Sequence, residues 1–290
     1  MLQPAFISLL SLLLCACATT GVQTRALLDA PPDIAGRVEL TQVPFIPQSK
    51  EGYCGPSSLA MVMRFARKDI SVETLASEIY RADKKGSLQA ELMAASRQRG
   101  LLAVQIDGLA NLLKEIAAGH PVIVFENLGL SWLPQWHYSV VVGYDLDQQE
   151  VIRHSGDDAF THQSLNHFER SWKLAEYWGL VVIPTTDLAT GATEVAHLQG
   201  AVGLERAGHV REAEQVYWNI LKRWPSSLGA LIGLGNLTYQ SGRYAEAAAH
   251  LKKAVKAHPE APTAIHNLKV AERAVRRSSY FAGRERFSSP

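Results

Sequence analysis

Gln48-Ser49-Lys50-Glu51-Gly52-Tyr53-Cys54-Gly55-Pro56-Ser57-Ser58 runs directly into Leu59-Ala60-Met61-Val62-Met63-Arg64-Phe65-Ala66. The second run is too apolar, and too free of Gly and Pro, to be a loop. It predicts a buried helix. Cys54 then falls on its first turn, at the positive end of the macrodipole, where a lowered pKa and a thiolate nucleophile are expected. The competing expectation is an inert thiol buried as a small hydrophobe. A nucleophile needs a base, so the rest of the chain decides between the two.

The chain has 290 residues, 47% of them apolar, enough for two modest domains with their own cores. A net charge of +1 suggests neither a nucleic acid nor a polyanionic partner. Phe6 to Leu14 is an apolar stretch too short for a confident bilayer span, and it ends in Leu14-Cys15-Ala16-Cys17. This resembles a bacterial lipobox with Cys17 as the lipidated residue. The usual basic residue before the apolar stretch is missing, so a late start or an apolar N-terminal strand of a cytoplasmic protein stays open. The lipobox implies a signal segment over 1–17, a tether over 18–36 and a lipid anchor in the cell envelope. Ala18 after the lipidated cysteine favours the outer membrane, facing the periplasm. Cys15 would leave with the signal and Cys17 would be acylated, which leaves Cys54 as the lone thiol. In an oxidising envelope a lone thiol favours chemistry over structure.

Residues 37–186 read as an α+β domain. Helices are expected at Cys54, after Ser71, over 87–99 and over 109–118. Strands are expected over 102–106, 121–125, 137–144, 150–153 and 177–183. A different regime follows at 193–277. Gly208, Glu212, Ala213 and Pro225 recur as Gly242, Glu246, Ala247 and Pro259, each offset by 34 residues. This is the period and residue pattern of tetratricopeptide repeats, closed here by a capping helix. Residues 278–290 read as a loose tail.

His137 opens the strongest strand, His137-Tyr138-Ser139-Val140-Val141-Val142-Gly143-Tyr144, and is the best candidate base. The sequence has no zinc-type Cys/His spacing, no phosphate-binding glycine loop and no Gly-x-Ser-x-Gly elbow, so neither metal nor cofactor is expected. Trp132, Pro134 and Trp136 are candidates to line a substrate cleft or simply to pack a loop. Trp172 and Trp178 read as core.

The ordered set of Gln48, Cys54-Gly55-Pro56-Ser57-Ser58 and His137 through Asp145 resembles the C39 family of papain-like cysteine peptidases. That family includes the domains that remove bacteriocin leaders after a double glycine. The resemblance covers about Val38 to Pro184. It implies a papain-like α+β peptidase domain with Cys54 as nucleophile, His137 as general base and later acid, and Gln48 as oxyanion donor beside the Cys54 N–H. One departure is visible. The family carries Asp-Pro on the strand after the histidine, and Ser155-Gly156 stands there here. A hairpin symmetric about Asp147 would set Asp157 across from His137 and Ser155 across from Ser139, on one face, with His154 pointing away. Ser155 or Asp157 is therefore expected to orient His137. The reading is a membrane-anchored thiol peptidase acting on a peptide or protein, with the repeats recruiting a protein partner. Double-glycine specificity does not carry over, because the chain has no transporter segment. The alternative is a catalytically degenerate lipoprotein serving as a binding or assembly scaffold.

Overall fold

The computed structural model describes residues 21–285, with side chains to residue 278. Cys17, the expected lipidation site, lies outside the described residues, as do the rest of the signal segment and the last five residues.

A helix, α1 (Val22–Asp29), opens the described chain. This corrects the expectation of a featureless tether over 18–36. Leu27 and Thr24 are buried. The free amides of the first turn are taken up by a helix that follows much later, α6 (Leu165–Lys173): Gln23 N–H donates to Glu169 Oε1 at 2.9 Å and Thr24 N–H to Oε2 at 2.6 Å. A carboxylate at a helix N-terminus meets both unpaired amides and the positive end of the dipole. Burial pushes the Glu169 carboxyl up, but hydrogen bonds from Thr24, Gln23 and Tyr177 outweigh it and hold the group below its ordinary value. A short, weakly apolar segment becomes helical because a distant acid caps it.

The domain that follows contains β1 (Arg37–Glu39), α2 (Cys54–Phe65), α3 (Val72–Ile79), α4 (Gln89–Arg97) and β2 (Leu102–Asp107). It continues with α5 (Leu109–Ala117), β3 (Val122–Asn127), β4 (Trp136–Asp145), β5 (Glu150–Ser155), β6 (Asp158–Ser164), then α6 and β7 (Trp178–Ile183). The sheet is antiparallel, in the order β2-β7-β3-β4-β5-β6, with β1 on the far end of β4. Helices cover both faces. On one, Tyr138 of β4 meets α2 at Gly55. On the other, Glu126 of β3 meets Ser171 of α6 at 2.7 Å. That double cover explains why β4 is a continuous apolar run, not an alternating one.

Residues Cys54 to Met63 of α2 are buried without a break, as a central helix requires. β6 and α6 add to the elements expected from the sequence, and α6 buries Leu165, Phe168 and Trp172 at helical spacing.

The second region is all helical: α7 (Glu194–Arg206), α8 (Val210–Arg223), α9 (Leu228–Gln240), α10 (Tyr244–Ala257) and α11 (Pro262–Glu285). Gly208 and Gly242 take positive φ values, 83° and 75°, at equivalent turns between paired helices. Ala213 and Ala247 are fully buried where the helices of each pair cross. Thr193 and Ser227 cap α7 and α9 by accepting from Ala196 and Ala230 N–H. The array is not free-standing, since α7 packs on β2 and α4. α11 runs to Glu285, so the helix continues past the tail boundary expected at 278.

Candidate active site

Cys54 is the first residue of α2 and is buried. Three backbone amides, those of Tyr138, Gly55 and Cys54 itself, reach its thiol and lower its pKa. Burial is the larger effect, and it holds the thiol above its ordinary value. The expectation of a depressed pKa is thereby corrected. The helix terminus supplies the stabilising amides, but desolvation wins in the resting protein. Pro56 has no N–H, and Ser57 N–H is committed to Tyr53 O at 2.9 Å. The free donors of this first turn are thus Cys54 and Gly55.

Those donors lie close to β4, because α2 approaches the strand where it has no side chain. A Cβ on Gly55 would stand 2.9 Å from both Cβ and Oγ of Ser87 and 3.5 Å from the Tyr138 ring. Tyr138 in turn donates its hydroxyl to Ser87 O at 3.1 Å. The contact sets the thiol against the Tyr138 amide, one residue from His137.

His137 is half-buried at the start of β4. Its Nε2 is 3.0 Å from Ser155 Oγ, while Nδ1 makes no hydrogen bond among the described residues. The imidazole and the Cys54 thiol are not hydrogen-bonded to each other. Burial lowers the His137 pKa most; the Glu126 charge raises it and the Arg153 charge lowers it. A thiol pushed up and an imidazole pushed down describe a neutral resting pair.

The choice between Ser155 and Asp157 is decided by where β5 stops. Val140 pairs with His154 and Val141 with Arg153, a register that puts Ser155 beside Ser139 and diagonal to His137. β5 ends at Ser155, and Gly156 takes a φ of +60° in the turn into β6. Asp157 therefore lies exposed in the turn and never comes opposite His137. His154 points to the other face, as the alternation requires. Its Nδ1 accepts from Phe160 N–H at 3.2 Å and its Nε2 donates to Val43 O at 3.3 Å.

Gln48 is tied to the same turn. Its backbone N–H donates to Gly156 O at 3.1 Å, so its loop is docked beside Ser155. Its side-chain amide donates one N–H to Lys50 O at 3.1 Å, which leaves the second N–H for another acceptor.

One part of the site escaped sequence reading. Glu126 pairs across the ladder with His137 and is fully buried. It accepts hydrogen bonds from Ser139 Oγ and Ser171 Oγ, both at 2.7 Å, and forms a buried ion pair with Arg153. A Glu directly after the apolar run Val122-Ile123-Val124-Phe125 is the signal the sequence offers; its partners come from β4, β5 and α6, which only the packing brings together.

The chain that leads into His137 is apolar and exposed: Leu128, Leu130, Trp132 and Leu133 on the β3–β4 loop and Trp136 at the start of β4, with Trp132 the most exposed at 76%. Asn127 Oδ1 fixes the loop by accepting from Gly129 and Gln135 N–H. Trp136 stacks on Phe125 with 5.1 Å between ring centroids. Trp172 and Trp178 are core residues. Among the described residues no cluster of His, Cys, Asp and Glu is arranged to hold a metal.

Residues 40–179 match the profile of the Peptidase_C39 like family. They form a C39-like peptidase domain. Residues 198–262 match the tetratricopeptide repeat, so the C39-like domain is followed by a repeat array. A comparison with curated proteins gave no match. Among solved structures, a candidate C39-like peptidase from Bacillus anthracis is similar at 21% identity with a TM-score of 0.44, over 51% of this chain and 98% of that one. The peptidase domain of Streptococcus ComA, a bifunctional ABC transporter, is similar at 21% identity and a TM-score of 0.41, over 49% of this chain and 99% of that one. A double glycine motif protease from an AMS/PCAT transporter, solved with its leader peptide, is similar at 21% identity and a TM-score of 0.38, over 49% and 91% of the two chains.

Proposed function

We propose that this C39-like domain is an active thiol peptidase whose dyad is Cys54 and His137, oriented by Ser155. The observation that carries the reading is a thiol on the first turn of α2 set against the amide of Tyr138, the residue that follows His137, whose Nε2 is held by Ser155 and whose Nδ1 is unbonded. When substrate arrives, His137 Nδ1 takes the thiol proton as sulfur attacks the scissile carbonyl carbon. The oxyanion is met by Cys54 N–H and by the second N–H of the Gln48 amide. The imidazolium then gives its proton to the leaving amine, the acyl-thioester remains, and water activated by His137 hydrolyses it. The apolar rim of Leu128, Trp132, Leu133 and Trp136 favours a substrate with apolar side chains near the cut. The full reading is an envelope peptidase anchored through a lipid on Cys17, with the repeats bringing a protein partner to it.

The test is alkylation of Cys54 by iodoacetamide in the wild type and in His137→Ala, together with hydrolysis of a peptide library. A His137-dependent alkylation rate and cleavage lost in Cys54→Ala support the reading. Alkylation indifferent to His137, with no cleavage, supports the alternative of a degenerate domain acting as a binding scaffold, which the substitution of Ser155 for an acid favours.

A further inference from the structure

The C39-like domain and the repeat array meet along α4 and α7, and between them lies an open groove of about 680 Å³. It is remote in sequence from Cys54 and His137 and shares no lining residue with that site. One wall is a single stripe of α7: Val195, Gln199, Val202 and Arg206, at i, i+4, i+7 and i+11. A helix face built this way normally buries its apolar members, yet Val195 is 62% exposed and Val202 38% exposed. The side-chain amides of Gln199 and of Gln105, on the β2 floor, have no protein partner among the described residues.

The charge in the groove is equally uncompensated. Arg97, at the end of α4, donates from Nη2 to Ala103 O at 3.0 Å, which fixes its guanidinium across α7. Its Nε is buried with no partner. It lies so close to α7 that a Cβ on Gly203 would stand 2.5 Å from its Cδ and 2.7 Å from its Nε. Arg206 is near enough that its charge, after burial, lowers the Arg97 pKa. No carboxylate lines the groove. Two guanidiniums that repel each other without a counter-charge, beside free amides and exposed valines, form a surface completed by an anionic and partly apolar ligand. Arg and carboxylate pair well in such a setting because the fork of N–H donors matches two oxygens.

We propose that this groove is a docking site for an acidic peptide segment of a partner protein. A carboxylate of the segment sits between Arg97 and Arg206, its apolar side chain rests on Val202 and Val195, and its backbone bonds Gln105 and Gln199. Val202 and Arg206 are one helical turn apart, about 6 Å, which corresponds to about two residues of extended peptide. The segment that fits therefore carries an acid and an apolar residue at that separation. The site would hold a partner at the junction of the two domains.

The test is direct binding to the full chain, so it does not depend on hydrolysis at Cys54. The probe is a fluorescein-labelled peptide that repeats leucine-serine-glutamate-serine, which puts leucine and glutamate two residues apart on one face, and its counterpart with glutamine for glutamate is the control. Fluorescence anisotropy is expected to show the acidic probe binding about tenfold tighter than the control, with affinity falling as salt rises. Arg206→Gln on the exposed end of the groove, and Gly203→Ala, which displaces Arg97, should each remove most of that difference. Lys252→Gln, an exposed cation on α10, should leave it unchanged. Equal binding of the two probes, or full binding by Arg206→Gln, overturns the proposal. So does a mass-sensitive measurement in which the groove is closed by a second copy of the chain, with Arg206→Gln converting dimer to monomer.

Discussion

Nε2 of His137 lies 3.0 Å from Oγ of Ser155, where the family pattern carries a carboxylate. The difference is chemical more than geometric. A carboxylate only accepts, so it fixes the proton on Nε2 and leaves Nδ1 as a lone pair for the thiol. A serine hydroxyl both donates and accepts, so it orients the ring without enforcing that tautomer, and it cannot balance an imidazolium. Ser155→Asp is therefore expected to speed Cys54 alkylation at neutral pH by about tenfold, the effect of raising the His137 pKa by about one unit. Ser155→Ala should slow it by about two- to tenfold through loss of one hydrogen bond. A Ser155→Asp protein that folds normally and reacts no faster would remove Ser155 from the mechanism.

The pH dependence of Cys54 alkylation should reveal the buried resting state. Burial raises the thiol, so thiolate forms at higher pH than in a free cysteine. Burial lowers His137, so imidazolium forms at lower pH than in a free histidine. Across neutral pH both groups are uncharged. The alkylation rate is expected to climb above the ordinary thiol pKa of about 8.5, with no plateau at acid pH. A plateau down to about pH 4–5, as an ion pair would give, would contradict the resting state described.

Glu126 and Arg153 can be tested as a buried pair. Glu126→Gln leaves the Arg153 charge buried without its partner and should cost about 3–5 kcal/mol in chemical denaturation. Because the Glu126 charge raises the His137 pKa, the same variant should move the His137 titration further down, read by NMR. Glu126→Gln combined with Arg153→Met should recover much of the stability and, because the Arg153 charge lowers the His137 pKa, move the titration part of the way back up. A His137 titration that is the same in the single and double variants would mean that the Arg153 charge does not reach the imidazole.

Gly55→Ala probes the approach of α2 to the sheet. The added methyl would meet Ser87 at 2.9 Å. Ser87 is itself buried between α2 and Tyr138, so it has little room to yield. A loss of about 1–3 kcal/mol is expected, together with a slower Cys54 alkylation as the thiol moves away from the Tyr138 amide. Thermal denaturation and alkylation measured together check both halves.

Acid stability follows from the buried histidines. His137, His154, His197 and His250 have folded pKa values lowered chiefly by burial. Below the ordinary value of about 6.5 the unfolded chain binds protons that these folded sites refuse, so each subtracts stability as pH falls through that value. His120 works the other way: Glu115 and Asp187 raise it despite burial. It adds stability below the ordinary value and loses it as pH rises through the raised one. With four against one, the melting temperature is expected to drop between pH 7.5 and pH 5. His154→Gln, which keeps an acceptor for Phe160 N–H, should flatten that slope. An unchanged slope would mean that His154 is protonated in the fold.

Local chemistry made the elements around the site legible. The apolar run after Cys54 could only be a buried helix, and the run after His137 only a covered strand. The 34-residue recurrence of Gly, Ala and Pro carried the repeat pairs, because each residue answers to a local demand of a turn or a helix crossing. α1 was not legible, since its stability comes from Glu169, more than a hundred residues away. The choice between Ser155 and Asp157 was half legible. Alternation put both on the His137 face, but the length of β5 depends on the turn at Gly156.

The sequence by itself determined the order of nucleophile and base, the family of the domain and the period of the array. These rest on residue type and spacing, which one chain carries in full. Only the tertiary structure decided that Ser155 meets His137, that Gln48 rests on Lys50 O, and that a buried Glu126–Arg153 pair stands behind the base. It also decided that burial outweighs the helix terminus at Cys54. Those outcomes depend on how deeply groups are withdrawn from water and on which distant strands meet. Desolvation and long-range contacts are properties of packing, and a linear reading contains neither.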